Sequence, residues 1–144
     1  MDGFVARLQR MLWIEEWLAH ELLPALLPPL GLERHLAETK QHALTLRRIL
    51  TALGEPHDPQ PSDALPALAA EVVEPTDLLA QVEHLEIAAY TGLRSTANAL
   101  GEDDISLRLT EIVEQEQHAL ERVERLTARL LAERVPHAEP VELG

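Results

Sequence analysis

The chain has 144 residues, one-domain length, and carries 25 acidic against 12 basic side chains for a net charge of −13. That surplus repels a phosphate backbone and argues against nucleic acid as a partner, and the absence of cysteine excludes disulfides, thiolate metal sites, iron–sulfur clusters and cysteine nucleophiles. Residues are 46% hydrophobic but only 3% aromatic, so Leu, Ala, Val and Ile must fill the core, and the wealth of Ala, Leu, Glu and Arg favours helix.

The first predicted helix covers Phe4 to Leu27, with apolar residues at 4, 8, 11, 18 and 22. Pro24 is expected to kink its last turns, and Pro28, Pro29 and Gly31 to end it. Arg7, Arg10 and Glu15 break this segment before any long apolar run forms. Neither a signal peptide nor a membrane span is expected, and a cytoplasmic location is the default. The second helix covers Leu32 to Leu53, with the apolar row 32, 36, 43, 46, 50 and 53 and the stop at Gly54.

A proline-rich crossover follows over 54–75, with room for a short helix from Ala64 to Val73. The third helix starts after Glu74-Pro75, with Thr76 as the expected N-cap, and runs to about Leu100. The fourth runs from Asp103 or Asp104 to about Arg134, and a tail over 136–144 is expected to be flexible. The expectation is an all-α, antiparallel four-helix bundle over 1–135, two helical hairpins joined by one long crossover, which is ferritin-like connectivity.

Charged residues on a bundle's inner face need explaining. The row of the third helix is 79, 82, 86, 93, 97 and 100, and that of the fourth is 105, 109, 112, 116, 119, 123, 126 and 130, with glutamate at 86 and at 116. Turn-counting from the hairpin near 102 brings residue 86 opposite 118. Two facing carboxylates repel unless protonated or joined by a cation. The first hairpin supplies Glu15 and Glu16 on adjoining rows, of which only one can point inward, and His35, Glu38 and His42 beside the row of its second helix. Residue 16 falls opposite 42, so four carboxylates and imidazole meet at comparable depth, the donor set of a non-haem di-iron or di-manganese site. The alternative is a buried Glu86/Glu116 polar layer that shares a proton and sets helix register. Glu111, Glu114, His118, Glu121 and Arg125 share one face and read as solvated.

The stretch Val82-Glu83-His84-Leu85-Glu86-Ile87-Ala88-Ala89-Tyr90-Thr91-Gly92-Leu93 resembles the YciE/YciF family of ferritin-like bacterial stress proteins, whose motif reads approximately V-E-H-Y-E-I-A-A-Y-G-T-L. Leu12 to Pro24, His35 to Thr39 and Leu109 to Glu116 resemble further stretches of that family in the same order. The resemblance implies the ligands Glu16 (not Glu15), Glu38, Glu86 and Glu116, to which the helical rows add His42 and, as a second nitrogen candidate, His35. It also implies two Fe or Mn ions and oxidation of Fe(II) in stress protection. No E-x-x-H spacing accompanies Glu38 or Glu116, which points to a carboxylate-rich site. The alternative function is a non-catalytic bundle acting through self-association. Trp13 and Trp17, at i and i+4, would then form a homodimer interface.

Overall fold

A computed structural model describes residues 1–134, and the expected tail and His137 lie outside the described residues. The described residues form helices α1 (Asp2–Trp17), α2 (Leu23–Leu30), α3 (Glu33–Ala52), α4 (Ala64–Glu71), α5 (Pro75–Ala99) and α6 (Asp103–Arg134), with a π-helical segment at Leu18–Leu22, and no strand. The π segment joins α1 and α2 without a break, so the described residues make five rods.

Its cause is local. Pro24 has no N–H to donate, and in a regular helix its ring would meet the carbonyl of His20. The Leu23 N–H instead donates to Leu18 five residues back, which widens one turn and lets the rod continue past the proline. Pro28 and Pro29 do not end this rod. Gly31 does, at φ 65°, where its N–H donates to the carbonyl of Leu27. The turn after α5 is closed by Gly101 at φ 74°, with Glu102 N–H donating to Ala97 and Gly101 N–H to Asn98. Helix α5 begins two residues earlier than expected. Glu74 is its N-cap and Pro75 its first residue, because proline's fixed φ suits that position, and Thr76 is buried inside the helix.

Helix α1 packs along α3, and α5 along α6, while α1 also meets α5 and α3 meets α6. The short turns make each pair antiparallel. Leu8, Leu12, Leu46, Leu50, Leu79, Leu93 and Leu109 fill the shared core, each under 2% exposed. The crossover is laid across α1, where Gln60 N–H donates to the carbonyl of Gln9 and the Gln9 side chain donates to that of Pro56. Leu65 of α4 is fully buried beneath it. Trp13 and Trp17 stack with ring centroids 6.4 Å apart, packed on the core and partly exposed. Among the described residues, no helix is long and apolar enough to cross a membrane.

Candidate metal centre

A layer of acids interrupts this core halfway along the rods. Glu15 of α1, Glu83 and Glu86 of α5, and Glu116 of α6 are each at most 2% exposed, and His42 and His35 of α3 are buried beside them. Two groups of donor atoms converge: Glu15, His42 and Glu116 in one, Glu83, Glu86 and Glu116 in the other. Within each group the atoms lie within 4.8 Å of one another, and Glu116 belongs to both.

Helical spacing explains the convergence. Glu83 and Glu86, three apart, share one face of α5 between Leu79 and Tyr90. His35 and His42, seven apart, return to the same face of α3 after two turns. The His42 Nδ1 atom is 2.8 Å from Glu116 Oε1 and 3.8 Å from Glu15 Oε2, and His35 Nε2 is 2.5 Å from Glu83 Oε1. On its far side His42 Nε2–H donates to Gln115 Oε1 over 2.6 Å, which fixes the ring and turns Nδ1 into the layer. The edge of Tyr90 closes the layer, its ring centroid 6.4 Å from that of His42.

The close contacts of the two imidazoles with Glu116 and Glu83 are not aligned as hydrogen bonds. Both oxygens of Glu15 and of Glu83, one oxygen each of Glu86 and Glu116, Nδ1 of His42 and the Tyr90 hydroxyl are buried without a hydrogen-bond partner. Among the described residues, every such orphan belongs to this one layer. Orphaned buried polar atoms are costly, and oxygen and nitrogen donors that converge this closely are arranged as ligands of a common cation would be.

The electrostatics agree. Burial, together with the crowding of Glu116, Glu15 and one another, pushes Glu83 and Glu86 well above the usual carboxylate range. Burial also pushes Glu15 up to about 7, against the pull of His42. Burial works against the charge on Glu116 too, but contacts with Glu83, His42 and Glu86 outweigh it and hold Glu116 down to about 2. For His42, burial favours the neutral ring, yet Glu116 and Glu15 prevail and push it up to about 9. Burial lowers His35. Without a metal, protons hold this layer together; divalent cations would take their place.

Of the expected ligands, the structure brings His42, His35, Glu86 and Glu116 into the layer and leaves Glu16 and Glu38 outside it. Glu16 pairs with Arg47. Glu38 pairs with Arg34 at 3.1 Å and Arg122 at 2.8 Å. A carboxylate held by guanidinium is already compensated and turned away from the layer. Glu15 takes the place expected for Glu16, one residue and about 100° around the helix. Glu83, which the sequence reading left out of its ligand set, supplies the fourth carboxylate from α5 rather than α3. Its signal in the sequence is the E-x-x-E spacing with Glu86, which the apolar row through 79, 82 and 86 passes by one position.

Over residues 2–135 the chain matches the family described as "Domain of unknown function (DUF892)". No curated protein and no solved structure matches it.

Proposed function

The chain belongs to the DUF892 family, and from that premise and its buried donor set we propose that it is a ferritin-like protein binding two divalent cations, Fe or Mn, between its hairpins. Glu15, His42 and Glu116 would hold one ion, and Glu83, Glu86 and Glu116 the other, with Glu116 shared. His35 would orient Glu83 from behind, and Gln115 would orient His42. The observation that carries this reading is the concentration of every partnerless buried polar side-chain atom, among the described residues, in one layer.

Charge supports the count. The four carboxylates, once ionised, are balanced by two divalent ions, so filling both sites would leave the layer neutral without its protons. Carboxylate and imidazole without thiolate suit Fe and Mn alike. When bound as iron, the pair supplies oxidation of Fe(II) by dioxygen or peroxide, the activity the YciE/YciF resemblance implies. The protein's own part is to exclude water and hold the donors fixed; the fully buried Tyr90 places a hydroxyl beside Glu15 and Glu86.

The test is metal content per chain after chelation, anaerobic Fe(II) loading and desalting. About two irons per chain are expected for the native sequence and none for Glu116→Ala, the residue common to both sites. A native protein that retains no iron or manganese would overturn the reading and leave the acids as a protonated structural layer.

A further inference from the structure

One helical turn beyond the acid layer, a cavity of about 540 Å³ opens between the α2–α3 turn and α6. Arg34, Arg122, Arg125 and Arg129 line it, four of only 12 basic side chains in a chain of net charge −13. No Asp or Glu lines it, although these outnumber Lys and Arg about three to one in the rest of the chain. Glu38 reaches Arg34 and Arg122 from the side, which steadies two of the guanidiniums. Arg125 and Arg129 have no carboxylate partner among the described residues. Arg125 lies four residues from Glu121, at ion-pair spacing, yet it turns to the cavity instead.

Apart from His35, the rest of the lining is apolar. Leu30 and Leu32 from the turn and Val123 and Leu126 from α6 form the floor, and His35, whose other face meets Glu83, stands at the inner wall. Guanidiniums present several N–H donors in a planar fork that matches an oxyanion two atoms at a time. An apolar floor offers nothing to a bare inorganic anion but buries a hydrocarbon chain. The volume is in the range that encloses a small organic molecule.

We propose that this cavity is a binding site for an organic anion with a short aliphatic body, a medium-chain carboxylate being the simplest, with its head on Arg125 and Arg129 and its chain on the leucines. Its position against His35 sets the ligand beside the acid layer, yet binding depends on no ion there.

The test is calorimetric titration of the full-length, chelator-treated protein with octanoate, 1-octanol and inorganic phosphate in parallel. Octanoate should bind at one site per chain. The Arg125→Gln/Arg129→Gln double variant should bind it at least roughly tenfold more weakly. Both positions are exposed, so the variant should keep its helical circular dichroism, and rising salt should weaken native binding as a second sign of the charge contact. Absence of octanoate binding, or equal binding by the variant, would overturn the site. Phosphate binding as tight as octanoate would overturn the aliphatic body, and octanol binding as tight would overturn the charged head.

Discussion

Hairpin α1–α3 brings one carboxylate, Glu15, and both imidazoles, His35 and His42, to the buried layer; hairpin α5–α6 brings three carboxylates, Glu83, Glu86 and Glu116, and no imidazole. The second hairpin alone would face three acids into an apolar seam with nothing to offset them. The first alone would bury two imidazoles and one acid with half a coordination shell. Each donor group draws on both hairpins or on the hairpin richer in acid, and Glu116 couples the two. The site is therefore a property of the docked pair, and its acid-rich side is the one that most needs a cation.

That asymmetry can be broken by removing one donor from each side. Glu86→Gln should empty the acid-only position and Glu15→Gln the mixed one, each lowering iron from about two to about one per chain by elemental analysis. Glu16→Gln, which removes a carboxylate already paired with Arg47, should leave metal content unchanged. Equal loss from all three would mean that the layer does not divide as the geometry divides it.

A smaller effect should come from the imidazole side alone. Gln115→Ala removes the acceptor that fixes the His42 ring without touching a donor atom, and should weaken metal binding by roughly 10–100-fold in a competition titration with a chelator. An unchanged affinity would show that packing against Tyr90 holds the ring by itself.

The smallest expected effect is on the stability of the metal-free protein against pH. His42, facing Glu15, Glu116, Gln115 and Tyr90, is raised from 6.5 to about 9, so the folded state binds more protons than the unfolded one across that window. Its contribution is complete below pH 6.5 and is lost as pH rises through 9. Glu83 and Glu86, also raised, add to the loss as they are forced to ionise, whereas Glu116, lowered to about 2, contributes fully throughout. Thermal unfolding of the chelated protein should therefore shift down by several degrees between pH 6.5 and 9. Added Mn(II) should remove the shift, since the cation replaces those protons. A melting temperature that rises over this range would contradict the buried, crowded state of the acids.

Much of the fold was legible because proline and glycine mark where rods end: Gly31, Gly54 and Gly101 stand at the stops expected of them, each at positive φ. The depth of the acid layer was legible too, since Glu86 and Glu116 break apolar rows that turn-counting brings together. Direction around the helix was harder. One residue separates Glu15 from Glu16, a rotation of about 100°, and no single-helix pattern states which of two adjoining rows faces α3. Partner choice was harder still, because whether Glu38 meets arginine or metal depends on Arg122, 84 residues away and on another rod.

The widened turn at Leu18–Leu22 sets an unusual rule for how this chain can change. It holds one residue more than a regular turn would, between the acid at 15 and the hairpin at Gly31. Deleting any one residue of the five would let the hydrogen-bond ladder close as ordinary helix, apart from the N–H that Pro24 lacks. Because the wide turn already absorbs its extra residue, that deletion would leave α1 and α2 in their present register, with Glu15 still facing the layer. A deletion from the regular turns between Leu23 and Gly31, by contrast, would rotate Glu15 by about 100° relative to the hairpin and turn it from the layer. The widened turn is therefore the place along this rod where chain length can change by one residue without turning the acid from its layer.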